Sequence, residues 1–225
     1  MAKPTRKRGA DRRDDALSRD RVVEAAIALL DTEGEHGLTF RALAARLATG
    51  PGAIYWHIAN KRELLAAASD AVVARAMAGV AGHATPRKAI RGIAVGVFEA
   101  IDAHPWVGAQ LSRGPWRTAT LQIFERIGRQ VQALGVAPAA QFTAASALVN
   151  YIVGVSDQNA ANGRWFEPAV DRAEFLEALS AQWKGLDPHA YPFTRTVATQ
   201  LRKHDDRVEF LAGIDLILAG IAAAR

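Results

Sequence analysis

The segment LTFRALAARLATGPGAIYWHIANKRELL, residues 38–65, constrains the fold of this chain more than any other. Phe40, Leu43, Ala44 and Leu47 recur at i, i+3, i+4 and i+7 and line the buried side of one helix, with Arg41, Ala45 and Arg46 on the other side. Thr39 stands where an N-cap belongs. The run Ala48-Thr49-Gly50-Pro51-Gly52 ends that helix, because Gly admits backbone angles closed to other residues and Pro at a first helical position forgoes only an unused amide. A second helix is predicted over 51–58, with Ile54 and Ile58 inward and Tyr55, Trp56 and His57 left on its surface. Asn60 then caps a third helix, which starts at Lys61 and carries Leu64, Leu65, Ala68 and Val72 inward. Two short helices around a tight turn, with aromatic and cationic side chains outward, form a unit that lays one helix against DNA.

An earlier stripe, Val23, Ala26, Ile27 and Leu30, predicts a helix capped by Ser18, ending near Asp31 and closed by Gly34 and Gly37. The predicted head is therefore three helices over residues 18–62, followed by a helical body over 63–225 and preceded by an arm at 1–17. The arm accounts for the charge. Residues 1–13 hold six cations and one acid, which leaves 22 basic and 22 acidic residues elsewhere, so the net charge of +5 sits at this end. Such a segment buries no apolar surface and is predicted to be disordered when free. It serves either as a solvated tail or as an arm along the DNA backbone or minor groove, and its place before the head favours the second.

No cysteine is present, which excludes disulfides, thiolate metal sites and a thiol nucleophile and fits a reducing cytoplasm. The apolar stretch Leu216 to Ala224 is far below the roughly 20 residues of a spanning helix. The expectation is a soluble cytoplasmic protein with no membrane partner. The body shows no strand-like alternation. Gly and Pro punctuation divides it into predicted helices over 86–103, 106–111, 116–134, 138–162, 172–183, 194–202 and 206–224, joined to the head by a helix over 61–78 without a loose linker. The fold class is all-α.

Thr39, Arg41, Ala44, Tyr55, Trp56, His57, Asn60, Lys61, Leu64 and Leu65 together resemble the DNA-binding domain of the TetR family of bacterial transcriptional regulators. The Tyr55-Trp56-His57 triplet followed by Asn60-Lys61-Arg62 is especially similar to the tetracycline-repressor branch. The chain departs from the family at the turn, where Ala48-Thr49-Gly50 replaces the usual Gly, apolar residue and hydroxyl. The resemblance implies a helix-turn-helix head that binds a double-stranded operator, and a helical body that binds a small-molecule effector and forms a homodimer. It implies a repressor released by a small hydrophobic molecule, with an activator or a ligand-independent DNA-binding protein as the alternative.

On position, Thr39, Arg41, Tyr55, Trp56, His57 and Lys61 are the candidate DNA contacts. Pro51, Gly52 and Ala53 begin the recognition helix, where close backbone approach would read methyl groups and shape. For an effector pocket the candidates are Phe98, His104, Trp106, Gln110, Trp116, Asn150 and Trp165, aromatic or polar side chains spread over successive helices. Leu148, Val149 and Ile152 on one late helix and Ile214, Ile217 and Ile221 on the last belong to helices apolar around much of their circumference. Such helices are either core elements or a dimer interface, and the family's late-helix bundle implies the interface. An enzyme is not indicated. His36, His57, His83, His104, His189 and His204 show no paired metal-ligand spacing, no phosphate loop or nucleophile elbow occurs, and no cofactor or metal is assigned.

Overall fold

A computed structural model describes residues 17–78, 85–112, 118–163 and 171–223. The basic arm, His83, Trp116 and Trp165 lie outside these residues. Among the described residues all regular structure is helical: α1 (Arg19–Gly37), α2 (Phe40–Arg46), α3 (Pro51–Tyr55), α4 (Lys61–Ala78), α5 (Pro86–Ala103), α6 (Trp106–Ser112), α7 (Thr118–Ala133), α8 (Pro138–Gly163), α9 (Arg172–Lys184), α10 (Pro192–Val197), a 3-10 turn (Ala198–Lys203) and α11 (Asp206–Ala223).

The helix starts follow the sequence chemistry. Ser18, Thr39 and Thr85 each accept the amide three residues on, from Arg21, Ala42 and Lys88, which satisfies donors that a helix start leaves unpaired. Two boundaries differ from expectation. α1 does not end near Asp31; it runs to Gly37 across a break at Gly34, whose φ of 68° and ψ of −172° are not helical. Only a residue without a Cβ adopts that pair cheaply, so one further turn is carried on at a new angle. α3 ends at Tyr55, three residues early, because Trp56 and His57 form a turn that brings Ile58 back under the head. The predicted 194–202 helix is split into α10 and the 3-10 turn.

The head is α1 to α3, with Val22, Leu30, Leu43, Ile54 and Ile58 buried together. α4 packs on α1 in one direction and on α5, α6 and α7 in the other. A head–body boundary after residue 62 thus falls inside the first turn of one continuous helix. α5 and α8 are central to the body: α8 packs on α5, α6, α7 and α11. It is long and apolar enough to span a bilayer by length and composition. Its apolar stripe, however, is spent on this core, with Leu148 and Ile152 fully buried. α9, α10 and the 3-10 turn pack chiefly on one another at the far end.

Candidate nucleic-acid interface

The turn of the head is built from the residues that depart from the family pattern. Ala48 has φ of 51°, the left-handed region, and is the only non-glycine there among the described residues. Its neighbour Thr49 donates its amide to Ala44 O at 2.9 Å, closing α2. Gly50 then occupies the N-cap of α3 with no side chain to accept an amide, and Pro51 follows as the first helical residue.

This turn presents α3 outward. Ile54 and Ile58 are buried beneath it, while Trp56 is 90% exposed and Tyr55 54%. The Tyr55 ring stacks on Phe40 with centroids 4.4 Å apart and planes 8° apart. That contact fixes the direction of the phenol without covering its hydroxyl end. His57 is half-buried beside it, Pro51 and Gly52 are exposed, and Ala53 is half-buried. Thr39 and Arg41 are exposed at the start of α2. Arg41, Arg46 and Arg62 have no ion-pair partner among the described residues, whereas Arg19 and Arg75 are paired with Glu63 and Glu24. The free cations thus lie on the α2–α4 side of the head, where Trp56 protrudes.

Lys61 has a second role. Its Nζ donates to the Glu35 carbonyl at 2.5 Å, tying the first turn of α4 to the turn of α1 beyond the Gly34 break. Asn60 and Glu63 complete the start of α4: Glu63 N donates to Asn60 Oδ1 at 2.9 Å and Ala59 N to Glu63 Oε2 at 2.8 Å, a near-reciprocal cap. That backbone amide, and next the guanidinium of Arg19, hold the Glu63 carboxyl below its ordinary range.

Of the seven residues expected to line one effector pocket, the five described ones are not brought together. Phe98 stacks on Phe210, which in turn stacks on Tyr151, in the packed layer between α5, α8 and α11. Asn150 is exposed on the outer side of α8. Trp116 and Trp165 are outside the described residues. His104, Trp106 and Gln110 form a polar seam with the head instead. Trp106 Nε1 donates to Asp31 Oδ1 at 2.7 Å, His104 Nδ1 lies 2.8 Å from the same oxygen, and Gln110 Nε2 donates to Glu35 Oε2 at 3.3 Å. Asp31 and Glu35 are functional candidates that sequence reasoning missed, and only their i, i+4 spacing on α1 hints that they share a face.

The interface candidates are corrected in part. Leu148, Val149, Ile152 and Ile214 are buried inside their own chain, since they occupy the α8 and α11 faces turned to α5 and Phe210. Ile217 and Ile221 are half-buried at the edge of that core. The outer side of α8 carries Thr143, Ala147, Asn150 and Gly154, and that of α11 carries Ala212, Leu216 and Ala219.

Comparison with known proteins decides the family. The model for bacterial regulatory proteins of the tetR family matches residues 22–68, and the model for the tetracyclin repressor-like C-terminal domain matches residues 81–225. The chain belongs to the TetR family of bacterial transcriptional regulators. An HTH-type transcriptional regulator of Saccharopolyspora erythraea is 30% identical over 209 residues, 92% of this regulator and 85% of that protein. The tetracycline repressor protein class E of Escherichia coli is 44% identical over 59 residues, 26% of this regulator and 28% of that protein. The solved structure of SCO7222, a TetR from Streptomyces coelicolor, is 58% identical with a TM-score of 0.84, covering 93% of this regulator and 99% of that chain. The tetracycline repressor of class E thus matches over about a quarter of this regulator, whereas the regulators of Saccharopolyspora erythraea and Streptomyces coelicolor match over nearly its whole length.

Proposed function

We propose that this TetR-family regulator is a homodimeric repressor that holds a pseudo-palindromic operator and releases it when a small, largely apolar molecule binds the body. The observation that carries the reading is a head in which Trp56 and Tyr55 stand out of α3 and Arg41, Arg46 and Arg62 have no ion-pair partner among the described residues. Unpaired cations there attract phosphate, and the aromatic side chains reach into the groove. Arg41, Tyr55, Trp56 and His57 are assigned to base edges or adjacent sugars, Thr39 and Lys61 to phosphates, and Pro51, Gly52 and Ala53 to close backbone approach. The name of the tetracycline repressor matched by the head supports repression as the mode of action.

Dimerisation is assigned to the outer sides of α8 and α11. Leu216 is 75% exposed there, flanked by Ala212 and Ala219, and Ala147 and Gly154 on α8 allow close approach of a second pair of helices. A symmetric dimer would place its two α3 helices in successive major grooves, about 34–36 Å apart or a multiple of it.

The test begins with selection of a binding duplex from a random library, followed by footprinting. A symmetric footprint supports the reading, and binding without sequence preference refutes it. Tyr55→Ala should weaken binding of that duplex, and Lys61→Ala should weaken binding almost equally for all sequences with a salt slope smaller by about 1. Leu216→Glu should lower the sedimentation mass at micromolar concentration. A wild-type monomer in that measurement refutes the dimer.

A further inference from the structure

Phe98 is packed into the core and His104, Trp106 and Gln110 are spent on the head seam, so the described cavities are the places to look for an effector. A cavity of about 340 Å³ lies between the last turns of α8, α9, the 3-10 turn and the first turn of α11. Phe175, Leu176, Leu179 and Leu201 form its walls. Its rim is polar. Asn159 and Asn162, one turn apart on α8, line it with no hydrogen-bond partner among the described residues. Opposite them, Asp206 accepts from Arg172 at 2.7 Å and sits 3.0 Å from His204 Nε2. Its carboxylate is therefore occupied, while the guanidinium of Arg172 retains further N–H groups.

We propose that this cavity is the effector site, and that it takes an aromatic molecule bearing hydroxyl or carbonyl oxygens. An aromatic body fits a wall of one phenyl ring and three leucines, because burial of apolar surface is what such a wall rewards. Two carboxamides without a hydrogen-bond partner among the described residues donate and accept at once, and Arg172 adds donors, so oxygen atoms on the ring system are met from both sides of the rim. A cationic ligand is disfavoured, since the one carboxylate on the rim is already shared by two cationic or potentially cationic groups.

The site is also placed to reach the head. Asp157 lies two residues before Asn159 on α8. It packs so tightly on Gly108 of α6 that a Cβ there would overlap its carboxylate, and Ser112 of α6 donates to it at 3.5 Å. α6 in turn holds Asp31 and Glu35 of α1 through Trp106 and Gln110. A ligand that shifts the last turns of α8 therefore moves α6 and, with it, α1. This part rests on the proposed release from DNA, whereas the binding site does not.

Naphthol, hydroxynaphthoic acid and dihydroxyanthraquinone, titrated calorimetrically into the full-length protein, test the site. At least one should bind saturably, one per chain. Leu179→Trp, which fills the cavity, and Asn162→Ala, which removes an exposed amide without a structural partner, should each weaken that binding by about tenfold, close to 1.4 kcal/mol. Phe98→Leu, in the packed layer, should leave it within about twofold. No saturable binding by any probe, or binding that both cavity variants leave unchanged, overturns the site. Asp157→Ala should keep the probe affinity while abolishing the effect of the probe on the selected duplex. A probe that binds as expected but leaves wild-type DNA affinity unchanged overturns the effector role and not the cavity.

Discussion

Asp31→Ala would remove the acceptor shared by His104 and Trp106, and the two losses differ in kind. Trp106 is only 7% exposed, so its indole N–H is left with little access to water, and a buried donor without a partner costs about 1–3 kcal/mol. The His104 side chain is 27% exposed; water replaces part of what it loses, and the cost there is about 0–1 kcal/mol. The expected total is about 2 kcal/mol, which for a chain of this size lowers Tm by about 4–8 °C. Trp106→Phe has no N–H to strand. In that background Asp31→Ala should cost only the histidine share, leaving a coupling of about 1–2 kcal/mol in the double-mutant cycle. Urea unfolding at one fixed protomer concentration measures all four proteins, because the proposed dimer would make stability depend on concentration. Equal costs of Asp31→Ala in both backgrounds would refute a bond between head and body at this point.

Three further outcomes are expected. Ala48→Gly should raise stability by about 0.5–1 kcal/mol, the roughly 1–2 kcal/mol of left-handed strain less the extra entropy of Gly when unfolded, whereas Ala45→Gly within α2 should lower it by about the same amount; a loss in both variants contradicts the strain. Glu63 has a folded pKa below its unfolded value, so its contribution is present above the unfolded carboxyl pKa of about 4.3 and is lost as pH falls through the lower folded value. Glu63→Gln should therefore be less stable than wild type near neutral pH, with the gap in urea midpoint closing below about pH 4; a gap independent of pH would show that the ion and its caps are not what stabilises α4. Ser180 is fully buried with an Oγ that has no partner among the described residues, so Ser180→Ala should be neutral or stabilising by up to about 1 kcal/mol, and a clear loss in melting temperature would mean that the hydroxyl is bonded.

The head was legible because its information is local. Apolar spacing, three oxygen-bearing caps and the Gly-Pro turn act within a few residues of one another, so Thr39, Asn60 and Ile54 could be assigned from the chain alone. The Cβ of Ala48 in a glycine's place was legible too, and it is strained at the left-handed φ that the turn imposes. The break at Gly34 was half-legible: the glycine marked a disruption, but whether the chain turned away or continued was settled by Leu38 finding a buried place at 1% exposure and Lys61 reaching the Glu35 carbonyl.

In the body, sequence by itself determined the approximate limits of most helices, since Pro at a first helical position marks the start of α5, α8 and α10, whereas single glycines such as Gly154 lie within helices. It also determined that α8 and α11 are apolar around much of their circumference. Tertiary structure alone decided which side of each helix is inside. Leu148 and Ile214 face α5 and Phe210, while Leu216 stays outside, and no periodicity distinguishes them when apolar residues occur on both faces. Tertiary structure likewise decided the roles of His104, Trp106 and Gln110. A tryptophan and a glutamine suit a ligand pocket and a polar seam equally by residue type, and the carboxylates they meet lie 75 residues earlier in the chain. Hydrogen bonds across that separation leave no mark on local composition, because they depend on how α1 and α6 are brought together by the packing of everything between them.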